Sequence, residues 1–243
     1  MSRNNRKSRK IRKDFDEGQR QVATDKARPV VELKPLNTKQ RDYFFDLQNG
    51  TCIIAIGPAG TGKTYVAATY AAQELAERHI RRIVISRPNV STGKSLGAFP
   101  GTVEDKMAPW LIAITNTLKE HLGISFYDQA VKTGAIQIQP IETIRGQSFD
   151  DAILLFDESQ QLEIPEVRAI VTRIGRRSKL VLMGDLLQRD NSADGLEYII
   201  GLAERNHLPV AVHRFESDDI VRSDTCKLFV KAFEAEAAAK AND

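Results

Sequence analysis

Cysteine is nearly absent: Cys52 and Cys226 are the only two in 243 residues. They are too far apart for metal-ligand spacing and are expected to be buried thiols in a reducing compartment. No apolar run approaches the roughly 18 residues of a membrane span, and the N-terminus has no apolar stretch of the signal-peptide kind. A soluble, cytoplasmic protein with no membrane partner is therefore expected. No internal repeat is present. Length is also limiting, because 243 residues of which 42% are hydrophobic can bury one substantial core, whereas two full nucleotide-binding lobes would be a tight fit. Acid is missing from the first 13 positions, MSRNNRKSRKIRK, which hold seven Lys or Arg. The whole chain has a net charge of only +3, so the remainder is net acidic. With almost nothing apolar to bury, residues 1–30 are expected to form a disordered basic tail and linker. Its charges suit a phosphate backbone by counterion release, although such a run also serves simply to solubilise.

What the chain does have is alternation. Short apolar runs at 52–56, 82–86, 136–138, 152–156, 179–183 and 209–212 are separated by helical patterns at 63–78, 103–121, 165–174, 194–205 and 218–238. Strands interleaved with helices predict a parallel sheet, and most runs are apolar on both faces, as strands covered on each side must be. The expected fold is α/β, a doubly wound parallel sheet forming one domain over residues 31–243.

The run GPAGTGKT, residues 57–64, follows the first apolar run and opens a helical pattern. Its glycines let backbone N–H groups turn toward an anion, and the helix N-terminus adds partial positive charge. Gly57, Pro58, Ala59, Gly60, Thr61, Gly62, Lys63 and Thr64 are thus the expected ATP phosphate cradle. Lys63 is expected on the β- and γ-phosphates and the Thr64 hydroxyl on Mg²⁺. In AILLFDESQ an apolar strand delivers Asp157 and Glu158 at its C-terminal end, the edge where open α/β sheets take ligands. Asp157 is expected to hold Mg²⁺, and Glu158 to orient and deprotonate the attacking water. Adjacent acids there favour hydrolysis over transfer to a small-molecule hydroxyl. In KLVLMGDLLQ another strand ends in Gly184-Asp185, with Gln188 placed to sense the γ-phosphate or bind the attacking water. Gly-Asp after a strand is by itself ordinary turn chemistry.

Taken together, LNTKQ at 36–40, the phosphate loop, DESQ at 157–160 and GDLLQ at 184–188 resemble the adenine-reading, Walker A, Walker B and sensor motifs of superfamily 1 helicases. Arg87-Pro88, SLGAFPGTVEDKMAPWL at 95–111, Arg145-Gly146 and TRIGRRSKLVLMGD at 172–185 resemble the PhoH-like family of ATPases, and the resemblance runs from about Leu36 to Phe233. It implies a RecA-like core and Mg-dependent ATP hydrolysis coupled to RNA or single-stranded DNA, with helicase or translocase work as one form of coupling. It gives Gln40 the adenine edge, which a side-chain amide matches with one donor and one acceptor. Arg87 is implied near a nucleic-acid or coupling surface, while Trp110 is expected to be packed rather than stacked on a base. In IVRS at 220–223, Ser223 stands where the family often has histidine. With no second lobe, a neighbouring subunit is the expected source of an arginine for the γ-phosphate. Arg222, expected within the last helix, is the first candidate and Arg173 the second. A homo-oligomer, specifically a hexameric ring by resemblance to RecA-like motors, follows from that expectation. Two other functions stay open: a nucleotide-switched nucleic-acid-binding module with negligible turnover, and a P-loop phosphotransferase.

Overall fold

The six apolar runs satisfy their backbone hydrogen bonds in a single sheet. In the computed structural model, which describes residues 32–88, 107–189 and 193–241, they become β1 (Cys52–Ile56), β2 (Arg82–Ser86), β3 (Ile136–Ile138), β4 (Ala152–Phe156), β5 (Lys179–Gly184) and β6 (Val210–Arg214). All pairings are parallel, in the order β3-β2-β4-β5-β1-β6. Helices α1 (Thr38–Asn49), α2 (Lys63–Ala76), α3 (Ile112–Leu122), α4 (Ile124–Lys132), α5 (Ile141–Ile144), α6 (Ile164–Val171) and α7 (Gly195–Asn206) cover the two faces, and α8 (Asp224–Ala241) follows β6.

Strand alternation decides which layer each side chain joins. Ile53, Ile83, Leu155 and Val181 point into the layer with α1 to α4, and their neighbours Ile54, Val84, Leu154 and Leu180 into the layer with α5 to α7. β1 and β4 are buried along their whole length, whereas the edge strand β6 is only half-buried. This is a doubly wound, RecA-like α/β core.

Some elements differ from the sequence expectation. The helix expected at 218–238 begins only at Asp224, because the Ser223 hydroxyl accepts the Cys226 backbone N–H at 3.2 Å and so caps its first turn. Arg222 therefore precedes this helix rather than lying in it. The helices α1 and α4 were not anticipated. α1 buries only Gln40, Tyr43 and Leu47, a stripe too narrow and polar to stand out. Gly123, at φ 82°, ends α3 and separates it from α4. The expected basic tail and most of the 95–111 stretch lie outside the described residues. No described helix is long and apolar enough to cross a membrane.

Sheet order is what assembles a site. β5 lies between β4 and β1, so the segments leaving all three strands emerge side by side at the C-terminal edge. From β1 the chain crosses β5 and β4 to reach β2, and β6 later pairs on β1's other flank. Such a reversal point is where open α/β sheets hold ligands.

Candidate functional site

The loop between β1 and α2 is shaped by close backbone approach. At Gly57 (φ 137°) a Cβ would sit 2.2 Å from the Phe215 carbonyl oxygen, so a side chain there would collide with the chain leaving β6. Gly62 (φ 87°) occupies the N-cap of α2 without any side-chain cap. The first N–H groups of a 14-residue helix are thus left facing the loop, where an anion can take them. Pro58 and Thr61 are buried and brace the turn, the Thr61 hydroxyl donating to the Pro58 carbonyl at 3.0 Å; Ala59 and Gly60 line the cavity above it.

Lys63 lies folded into this loop. Its Nζ donates to the carbonyls of Gly57 at 2.6 Å and Pro58 at 2.8 Å. Burial pushes its ammonium down to about 8 against the opposing pull of Asp185, Asp157 and Glu158, while Arg222 adds to the depression. Thr64 donates its hydroxyl to Asp157 Oδ1 at 3.3 Å, joining the loop to the end of β4. Burial, and secondarily the charge of Glu158, raises Asp157 above the usual carboxylate range. A buried carboxylate beside a hydroxyl is the hard-oxygen donor set that Mg²⁺ takes together with phosphates and water.

Glu158 adopts a left-handed backbone conformation, φ 52° and ψ 36°, an arrangement that costs energy in a non-glycine residue and turns the next residues into a short 3₁₀ turn at Ser159–Gln161. Its Oε2 accepts the Gln160 side-chain amide at 2.6 Å, and the other end of that amide accepts the Asp185 backbone N–H at 3.1 Å. Gln160, 1% exposed, thereby locks the end of β4 to the end of β5. Asp185 also accepts from the Gln188 side chain at 2.7 Å, holding that exposed amide at the cavity wall. Gln160 and Asp185 received no role from the sequence; the signal available was their place within the DESQ and GDLLQ runs.

These groups face one cavity of about 770 Å³, whose lining includes Lys63, Thr64, Asp157, Glu158, Gln188 and Arg222. Leu36, 71% exposed, and Tyr65 contribute to its walls and were likewise not anticipated. Gln40 sits at the same cavity, but both ends of its amide are engaged within the chain. Nε2 donates to the Thr61 carbonyl at 2.9 Å and Oε1 accepts the Leu36 N–H at 2.9 Å. Gln40 here ties the 36–40 segment to the phosphate loop with one donor and one acceptor of its amide.

The two candidate arginines separate. Arg222 lines the cavity of its own chain: its side-chain carbons lie against Gly60, and the adjacent Val221 N–H donates to the Gly60 carbonyl at 3.0 Å. Arg173 follows α6 at the opposite, N-terminal edge of the sheet, where its guanidinium donates to the Gln147 carbonyl at 3.2 Å and to Thr172 Oγ1. The structure does not bring it to the cavity.

A family model described as PhoH-like protein matches residues 32–234. A PhoH-like protein of Bacillus subtilis (strain 168) is 36% identical over 151 residues, covering 62% of this chain and 47% of that one. Protein PhoH of Escherichia coli (strain K12) is 30% identical over 215 residues, covering 85% of this chain and 60% of that one. The chain therefore spans about half the length of the curated relatives it matches. Among solved structures, the HK97 bacteriophage large terminase shares the fold at a TM-score of 0.54 and 18% identity, covering 92% of this chain and 52% of that one.

Proposed function

Because this chain belongs to the PhoH-like protein family and carries a P-loop ATPase core, we propose that it hydrolyses ATP with Mg²⁺ and couples that reaction to RNA or single-stranded DNA. The observation behind this reading is convergence: the phosphate loop after β1, Asp157-Glu158 after β4 and Asp185 to Gln188 after β5 all face one cavity.

In this reading the free N–H groups opening α2 bind the phosphates, and Lys63 exchanges its two carbonyl partners for phosphate oxygens. Thr64 and Asp157 would hold Mg²⁺, which when bound neutralises charge on the phosphates. Glu158, aimed by Gln160, accepts the proton of the attacking water, and Gln188 orients that water. Arg222 acts within its own chain on the charge developing at the γ-phosphate. The basic first 13 residues supply a salt-sensitive hold on a nucleic-acid backbone.

Turnover measured by ADP release with RNA, with single-stranded DNA and with neither tests the proposal, using Lys63→Ala and Glu158→Gln as paired variants. Lys63→Ala is expected to weaken ATP binding. Glu158→Gln is expected to bind ATP nearly as the parent does while turnover falls by about 10²-fold or more, the usual weight of a positioned base. A Gln variant that hydrolyses at the parent rate would remove Glu158 from this role. ATP binding without turnover in the parent, polymer present or absent, would leave a nucleotide-switched binding module instead.

A further inference from the structure

The last described helix is turned inside out. α8 fastens itself to the body by its charged side: Lys227 Nζ and Lys231 Nζ meet Asp218 Oδ1 at 3.0 and 2.9 Å, and Lys227 also donates to the Asp218 carbonyl at 2.9 Å. Its apolar side chains face outward. Leu228 is 68% exposed, Phe229 61% and Phe233 64%, with the two phenylalanine rings side by side at 6.2 Å between centroids. At 3.6 residues per turn, Phe229 and Phe233 share one face about 40° apart, and exposed Ala232 and Leu228 extend it to one side. Surface helices ordinarily do the reverse, burying the apolar stripe and showing their charges to water. Among the described residues, the other exposed aromatic side chains, Phe45, Tyr65 and Trp110, each stand singly on a separate element.

We propose that this face is covered by α8 of a second copy of the chain, the two helices packing antiparallel about a two-fold axis. With Phe229 opposite the partner's Phe233, the axis passes near residue 231 and each phenylalanine pair closes on the other, so one patch covers itself. Glu236 decides the direction. It stands three residues past Phe233 on the same side of the helix, and in the antiparallel arrangement it reaches the partner's first α8 turn, where the helix dipole favours a carboxylate. A parallel pair would instead set Glu236 beside its own copy and align the two dipoles. Area decides the strength. With roughly 200 Å² for an aromatic side chain, the exposed parts of Leu228, Phe229 and Phe233 leave about 350 Å² of apolar surface open on each chain, about 700 Å² for the pair. Stable interfaces remove about 1,200 Å² or more, so the pairing is a reversible, concentration-dependent dimer. It stands independently of ATP hydrolysis, since none of these side chains lines the nucleotide cavity.

Sedimentation velocity on the full chain without nucleotide, from about 1 to about 200 μM, tests the pairing. The parent is expected to pass from monomer to dimer across that range. Phe229→Ser combined with Phe233→Ser should weaken the dimer by about 10²-fold or more, the scale of truncating central aromatic anchors. Its circular dichroism spectrum should match the parent's, because both rings lie outside the core. A crosslink reads the direction. In the antiparallel register Glu236 lies opposite the partner's Cys226, so Glu236→Cys is expected to give a disulfide-linked dimer when oxidised with copper phenanthroline. Glu236→Cys combined with Cys226→Ser should not. The proposal is overturned by a parent that stays monomeric at about 200 μM, which leaves the face to a different protein, or by a double serine variant that associates as the parent does. Assemblies that dissociate in the serine variant yet give no crosslink also overturn it, because they seat α8 on some other surface of the neighbour.

Discussion

At the scale of single residues, the tension in this site lies in Asp157. Its carboxylate is buried at the end of β4, and burial raises it above its ordinary range even though the Glu158 N–H and the Thr64 hydroxyl both donate to it. A raised carboxyl means that the ionised form is penalised in the folded state. Asp157→Asn is therefore expected to raise the metal-free, nucleotide-free Tm by a few degrees at pH 7. The same change should abolish any Mg²⁺-dependent gain in Tm. Calorimetry with chelator and then with Mg²⁺ and ATP checks both halves; a less stable Asn variant would mean that the two hydrogen bonds outweigh burial. Residues at this scale were unequally legible. Lys63, Thr64, Asp157 and Glu158 declare themselves because phosphate chemistry demands their types at set offsets from a glycine turn or a strand end. Gln160 carries no such demand, since its value comes only from reaching Asp185 across two strands.

At the scale of elements, β6 and α1 show how an edge is closed. β6 pairs only with β1 among the described strands, and α1 packs beside it. His213 of β6, with a side chain 10% exposed, meets Asp46 of α1 at 2.9 Å and packs its ring against Tyr43 with centroids 5.3 Å apart. Burial lowers His213 below its usual value, and the opposing attraction of Asp46 does not cancel that effect. A depressed histidine contributes stability that is present above the unfolded value, about 6.5, and is lost as pH falls through the folded one. His213→Gln, which keeps a hydrogen-bonding side chain but cannot titrate, is expected to lose less stability between pH 7.5 and 5.5. The gap between parent and variant should change by up to roughly 1.4 kcal/mol per pH unit within that window. Urea unfolding at pH 7.5, 6.5 and 5.5 measures it, and a pH-independent gap would show that the ring is not held neutral. Six strands were readable as apolar runs, and α2, α6 and α7 as amphipathic patterns, because burial on one or both faces imposes those periods. α1 and α4 escaped, one through its polarity and the other through its separation from α3 by a single glycine.

At the scale of the whole molecule, the position of Arg222 bears on how the proposed site is completed. Arg222 stands against Gly60 of its own chain and lines the same cavity as the phosphate loop, which favours the proposal that it acts within one chain. Arg222→Ala is expected to cut turnover by about 10³-fold or more while sparing ATP binding, on the scale known for such an arginine. Co-assembly with Lys63→Ala subunits should not restore activity, since no chain then holds both groups. Recovery in verified mixed oligomers would instead place the arginine across a subunit boundary, as a head-to-tail ring requires, and sedimentation velocity gives the assembly size alongside. Arg173, at the far edge of the sheet, could serve only such a neighbour. What the amino-acid order determined by itself is local: strands from burial on two faces, a phosphate loop from glycine and helix chemistry, acids and amides at strand ends. What only the tertiary structure decided is adjacency. Strand order β4-β5-β1 brings together loops separated by about a hundred residues, and it turns Arg222 inward. The physical reason is that parallel pairing is chosen by how helices cover the two faces of the sheet, a property of the folded whole that no single run of residues carries.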